Sequence, residues 1–371
     1  MKKRILKVIN KNQPFALFAF VALGLMMVGA CSTDIELNAE PKDIWVVYGV
    51  LREEAETQDI RVAKAFLIEG DAIEYAKEND LSEKGLRVTL TDSRGRMRMA
   101  RQVDSVATQP TDGTFFPYTT VYRFNTAGDS ALVPGERYSL RVSRPGDDTF
   151  ALTAYTYVPL APQILQPVER PCVFPQIRLD VLQLHNRYDV EWSRGRGANS
   201  NPGAGLGFEL RAFFNYEKND EPQAEISWGP TPLIVTPSGC NTSGSGICHR
   251  FAEGELINHW LFNMEQDPNA RYTFDNRSDC ELSGGLARAF RVEVTAIDTF
   301  LTNYMRINDP SVTDFNTVRL EYTNISASGS AAALGIFGST TRVERLAGMD
   351  QCSQWLLNMN DTPRPQGLCE I

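Results

Sequence analysis

Histidine is almost missing from this chain, with three residues, His185, His249 and His259, in 371. None stands in a His-x-His or i,i+4 relation to another, and no Cys-x-x-Cys occurs, so the ligand spacings of zinc sites are absent and no metal or cofactor is expected. There is no Gly-x-Ser-x-Gly elbow, which removes the α/β-hydrolase serine. The glycine-rich stretch Gly203-Ala204-Gly205-Leu206-Gly207 precedes a strand, whereas a phosphate cradle follows a strand and opens a helix. It reads as a flexible or binding loop. No repeat appears at solenoid periods. Long apolar runs are missing too, apart from Phe15 to Val28, and that run is short of the about 20 residues a bilayer core requires.

That short run follows a basic start, Lys2, Lys3, Arg4, Lys7 and Lys11, and ends in Val28-Gly29-Ala30-Cys31. Basic start, short apolar stretch and small residues form a secretory signal, and the last four residues match the lipobox of bacterial lipoproteins. Cleavage before Cys31 makes it the first mature residue and the site of lipid attachment, with two or three acyl chains. Each buried CH₂ contributes about 0.8 kcal/mol of membrane affinity, so the chain is tethered firmly without spanning. Residues 1–30 are thus a signal peptide and 31–43 a tether.

The signal removes five of the 37 Lys and Arg and none of the 46 Asp and Glu, leaving a net charge of −14. Nucleic acid is a poor partner for such a field. Ser32-Thr33-Asp34-Ile35-Glu36 loosely resembles the acidic post-cysteine signal that sends Bacteroidota lipoproteins to the cell surface, so either a surface-exposed or a periplasm-facing position is expected.

Six cysteines remain after Cys31: Cys172, Cys240, Cys248, Cys280, Cys352 and Cys369. An even count in an exported chain reads as disulfides, with fifteen possible pairings. Cys240 and Cys248 bracket a Gly/Ser/Asn loop, whose closure removes about 2–3 kcal/mol of unfolded-state entropy. Cys352 with Cys369 would staple the tail, 346–371, and Cys172 with Cys280 follows by elimination.

Short β-rich runs separated by turn signals fill residues 44–159: Ile44–Leu51, Ile60–Ile68, Leu86–Thr91, Met97–Val103, Thr120–Phe124, Tyr138–Val142 and Phe150–Val158. Asp71 with Glu74 opens a short helix. Pro134-Gly135 followed by Tyr138-Ser139-Leu140-Arg141-Val142 is a turn entering a late strand. There Tyr138 is either a corner tyrosine bonding back to the turn or an ordinary exposed one. Val158-Pro159-Leu160-Ala161-Pro162 reads as a linker. Residues 160–345 supply Ile177–Leu182, Tyr188–Trp192, Phe208–Asn215, Glu225–Trp228, Phe290–Val294, Val318–Tyr322 and Gly335–Arg345, with a helix N-capped by Asp298. The expected fold is mainly β: two tandem β-sandwich domains, immunoglobulin- or fibronectin-like, with one or two short helices.

Asp275, Asn276 and Asp279, or Asp147 and Asp148, offer oxygen ligands for calcium without EF-hand spacing, and solvated turns are the ordinary reading. Asp104-Ser105-Val106 and Asp129-Ser130-Ala131 match the Asp-Ser-aliphatic pattern of O-glycosylation in exported Bacteroidota proteins.

The run Asn324-Ile325-Ser326…Leu334-Gly335-Ile336-Phe337-Gly338-Ser339 resembles the closing Ser-Asn-Ile…Gly-x-Gly-Ile-Phe-Gly motif of an uncharacterised Bacteroidota lipoprotein family. Its members are often encoded beside TonB-dependent receptors. This chain departs by carrying Ala333-Leu334-Gly335 in place of a second glycine, and by reading Asn-Ile-Ser. The lipobox, Val46-Val47-Tyr48-Gly49-Val50-Leu51, the Pro134 turn and Val292–Asp298 extend the likeness over most of residues 44–345. The resemblance implies an address and a fold without a reaction. The expected role is a binding or accessory module of the outer membrane, with a TonB-dependent receptor, a glycan or a peptide as partner. The competing reading is a carbohydrate-active or peptide-cleaving enzyme using acidic residues.

Overall fold

A computed structural model describes residues 44–65, 72–107, 118–167, 188–194, 207–218, 224–235, 246–252, 255–264, 272–273, 290–308, 322–329 and 331–347. The chain is mainly β, as its alternating apolar runs predict. The elements up to the Pro-rich segment are β1 (Ile44–Arg52), β2 (Thr57–Lys64), α1 (Ala72–Glu78), β3 (Arg87–Asp92), β4 (Met97–Met99), β5 (Arg101–Ala107), β6 (Tyr118–Asn125), β7 (Arg137–Arg144) and β8 (Asp147–Tyr157). Beyond it come β9 (Gln163–Gln166), β10 (Tyr188–Ser193), β11 (Gly207–Lys218), β12 (Ala224–Trp228), β13 (Gly246–Phe251), α2 (Glu255–Met264), β14 (Tyr272–Thr273), β15 (Phe290–Ile297), α3 (Thr299–Asn308), β16 (Ser326–Ala327) and β17 (Ala332–Ala347).

Among the described residues these strands form three sheets. The largest runs β12-β11-β15-β17-β1-β2-β6-β5, with β14 paired to β11. A five-stranded sheet, β16-β8-β7-β3-β4, and a three-stranded one, β13-β10-β9, complete the set. Alternation along each strand sends one set of side chains inward. Trp45, Val47, Leu51, Ile60, Val62, Tyr122, Phe124 and Phe337 of the large sheet meet Val88, Leu90, Tyr138, Leu140, Val142 and Leu152 of the five-stranded one. A second core joins Leu210, Phe214, Val292 and Val294 to Ile164, Val190, Trp192, Ile247 and Phe251 of the three-stranded sheet. Val190 and Trp192 are fully buried on the middle strand of that sheet, the central position their spacing suggests.

The boundary expected near residue 160 falls between the two cores, yet β17 serves both. Phe337 lies in the first core and Val343 packs against the second, and both point to the same face of one continuous strand. The Pro-rich segment is pinned along that strand. Ser339 Oγ donates to Tyr157 O at 2.8 Å, Thr341 Oγ1 to Pro159 O at 2.7 Å, and Arg345 Nη2 to Ile164 O at 3.1 Å. Residues that read as a linker therefore form a bonded seam.

β17 also pairs in parallel with β1, Ile44 opposite Ala332 through Arg52 opposite Thr340. This pairing explains Gly335. Its φ of +105° is a conformation L side chains rarely adopt, and a Cβ there would collide with the Val47 backbone. Gly338 clears space of a different kind, since a Cβ would come within 2.7 Å of Leu301 Cβ on α3. Helix α3 thus lies on the side of the large sheet opposite the cores. Asn324 holds the same strand with both ends of its amide: Phe337 N donates to Oδ1 at 2.9 Å and Nδ2 donates to Phe337 O at 2.7 Å. Thr323 precedes it, and its Oγ1 accepts from Ile325 N at 3.1 Å, so the residues resembling a family signature act here as a clamp on β17.

Tyr138 is fully buried, and its hydroxyl accepts from Val133 N at 2.9 Å, which makes it the corner tyrosine. Phe213 and Phe214, whose adjacency breaks alternation, are covered on opposite faces: Phe214 by the second core and Phe213 by the Arg291 guanidinium 4.1 Å above its ring.

Gly335→Ala is expected to lose roughly 2–4 kcal/mol in chemical unfolding, because strain and a backbone collision add. Gly329→Ala, at φ +71° with open space around it, should lose only about 1 kcal/mol. Equal losses would contradict this account of β17.

Candidate functional site

Residues of the five-stranded sheet that do not enter the core form its solvent face. Across β4, β3, β7 and β8 the rows are Met99, Thr89, Arg141 and Thr153, then Met97, Thr91, Ser139 and Tyr155. Arg87 with Ser143 and Arg137 with Tyr157 flank them. Among the described residues no aspartate or glutamate lies on this face. On a chain of formal net charge −9, an acid-free face carrying three arginines is a local reversal of sign.

One end of the face is aromatic. The Tyr155 ring stands edge-on to Tyr157 at 6.0 Å and to Phe300 of α3 at 5.1 Å, and Arg137 lies 4.3 Å above it. Tyr155 is 40% exposed, and Met97 and Met99 are 68% and 64% exposed. A β-sandwich ordinarily turns polar residues to water, so the exposed methionines and the stacked Arg137–Tyr155 pair mark this surface.

A buried node fixes the aromatic end. Asp298 caps α3, accepting from Leu301 N at 2.6 Å, and also accepts from Ser339 N at 3.1 Å and from Thr156 Oγ1. Thr156 precedes Tyr157 on β8, and Phe300 is two residues beyond Asp298, so one carboxyl ties the helix, β17 and the aromatic surface together. Asp298 is 1% exposed, and burial pushes its pKa up to about 6 against the donors and the helix N-terminus, which favour the anion. The N-cap expected at Asp298 is present.

The other residues singled out by sequence are scattered. Cys248 is 2% exposed on β13 and disulfide-bonded, with a partner outside the described residues. Cys31, Cys172, Cys240, Cys280, Cys352, Cys369, His185, Asp275, Asn276 and Asp279 lie outside the described residues, as do Gly203–Leu206, while Gly207 opens β11. Asp147 caps its hairpin, with Oδ1 accepting from Thr149 Oγ1 at 2.6 Å, Thr149 N at 3.0 Å and Phe150 N at 3.2 Å. Those hydrogen bonds, from Thr149 first, hold its carboxyl below the ordinary range. Asp148 follows it at the start of β8. His249 packs against Trp228 and Phe251, with burial lowering its pKa, and His259 Nε2 contacts Ser227 O at 2.9 Å. Ser105, exposed with φ of 57°, sits in a bulge of β5, and Ser130 ends a 3-10 turn. No group of three His, Cys, Asp or Glu that could hold a metal occurs among the described residues, and no described helix is long and apolar enough to cross a membrane.

No protein-family model matches the chain, and no curated protein matches it. The site is therefore judged on its own chemistry.

Because the folded state binds the Asp298 proton more tightly than the unfolded chain does, its stabilising effect is fully present below about pH 4 and lost as pH rises through about 6. The difference is about 3 kcal/mol. Asp298→Asn keeps a cap of equal quality and removes this titration. Relative to wild type, the variant should gain stability between pH 4 and pH 7 by about that amount in urea unfolding, and a difference independent of pH would overturn the assignment.

Proposed function

We propose that this chain is an outer-membrane lipoprotein, anchored through acyl groups on Cys31, that serves as a docking module for a partner protein in a TonB-dependent receptor system. The observation that carries the docking role is the composition of the five-stranded sheet's solvent face. Protein interfaces are enriched in Tyr, Phe, Met and Arg and depleted in Lys, Glu and Asp. The face holds Tyr155, Tyr157, Met97, Met99 and three arginines, with Phe300 of α3 edge-on to Tyr155, and among the described residues neither lysine nor acid.

The geometry suits that role. Tyrosine presents a rigid area at low entropy cost, and arginine stacked on it is already ordered before contact. The lipobox supports the address, and the resemblance of Asn324–Ser339 to a lipoprotein family encoded beside receptors supports the setting.

The test is isolation of the tagged lipoprotein from detergent-solubilised outer membrane, beside a Cys31→Ala control. Acylated Cys31 in the N-terminal peptide and recovery of one TonB-dependent receptor in near-equal amount are expected, with both lost in the control. An unmodified Cys31, or recovery of the lipoprotein alone, would overturn the reading.

A further inference from the structure

Charge on the face says what kind of partner it fits. Arg141 stands opposite Thr89, and Arg87 is two residues from Thr89 on the same strand. The two arginines are therefore diagonal neighbours, about 7–8 Å apart at their backbones. Arg137 lies four residues from Arg141 along β7, about 13 Å away, against Tyr155. Several arginines on the other sheets are neutralised within the chain: Arg123 by Asp59 at 2.6 Å, Arg250 by Asp189 at 2.7 Å, and Arg291 by Glu225 at 2.7 Å and Glu293 at 2.8 Å. Arg87 and Arg141 are exposed, and no described carboxylate lies within ion-pair distance of either.

We infer that this face, if the docking reading above holds, takes a protein surface that presents carboxylates. One acidic cluster would meet Arg87 and Arg141, and a further carboxylate would meet the edge of the Arg137–Tyr155 stack. Guanidinium groups receive carboxylates through paired hydrogen bonds, and Thr91 and Ser139, between Arg141 and Arg137, offer hydroxyls to the same oxygens. The face is small, roughly 20 Å by 20 Å from strand spacing and rise. Its area is at the low end for protein contacts, so complementary charge carries the recognition and contact depends strongly on salt.

A protein suits the face better than a polyanionic glycan or nucleic acid. Met97 and Met99 are flexible apolar side chains that adapt to another packed surface and offer nothing to sugar hydroxyls or phosphates. A long polyanion, moreover, would extend past this patch into the field of a chain at −9.

The experiment places a photo-crosslinking amino acid at Ser139, the middle of the face, in the full-length lipoprotein within its native membrane. A second position, Arg211 on the large sheet, serves as the control. Adducts are quantified at 50 and 500 mM NaCl, in wild type and in Arg87→Glu/Arg141→Glu. Both arginines are exposed, so the variant should unfold at the wild-type temperature, and this is checked. The expected result is one protein adduct at Ser139, joined at a segment rich in Asp and Glu. It should fall about tenfold in high salt and at least tenfold in the double variant, and return when two of the partner's acids are changed to Arg. An adduct unchanged by salt and by the variant would overturn the acidic-partner inference and leave the docking role standing. An adduct at Arg211 and none at Ser139 would overturn both. Retention of the lipoprotein on polygalacturonate or duplex DNA, lost in the double variant with no protein adduct, would replace the protein by a polyanion.

Discussion

Strand β17 is the constraint on which the rest of the molecule depends. It must pair with β1 on one side and β15 on the other, give Phe337 to one core and Val343 to the next, and leave Gly338 bare under a helix. Each demand fixes a residue type at a definite place, and none can be met locally, because β1 lies nearly the whole chain away. The buried hydroxyls of Ser339 and Thr341 add a further requirement. They sit on the inner face, where water is excluded, and are satisfied by carbonyls of residues 157–159. A polar pair in a core would cost several kcal/mol if left unpaired; here it fixes the route by which the chain passes from one small sheet to the other.

Much of this architecture could be read in the sequence, because period-two alternation reports a half-buried strand directly. β1, β3, β7, β8, β10, β11 and β15 were legible to within a few residues, as were the helix capped by Asp298 and the corner tyrosine. Alternation says nothing about which strand a strand joins, so the parallel pairing of β1 with β17 was hidden, and with it the sharing of one sheet by both halves. The seam at 158–162 was hidden for a related reason: prolines mark the end of a ladder equally whether the next residues are free or bonded elsewhere. β9 and β13 are short and flanked by turn-rich sequence. α2 was missed although Leu256, Ile257, Trp260 and Leu261 have helical spacing and Ala252 N donates to Glu255 Oε2 at 2.8 Å across its start.

The candidate site was the least legible part, because it is defined by an absence. Arg87, Thr89, Arg137, Ser139, Arg141 and Tyr155 come from three strands, and their acid-free surface exists only once the register is known. Total charge, the quantity available from composition, points the other way. A chain at −9 reads as repelling anions, and that average conceals a patch where the sign is reversed.

The parallel pairing of the first and last strands also has a mechanical meaning. β1, which opens at Ile44, is held by a nine-residue register to β17 and by β2 on its other edge. Under the proposed anchoring at Cys31, force between the membrane and a partner on the other sheet would enter at Ile44 and run along the axis of β1, borne as shear by two ladders at once. Pulling at the end of a hairpin would instead peel hydrogen bonds singly. A pull along β1 would thus have to break bonds of both ladders together, which suits the proposed anchoring at that end.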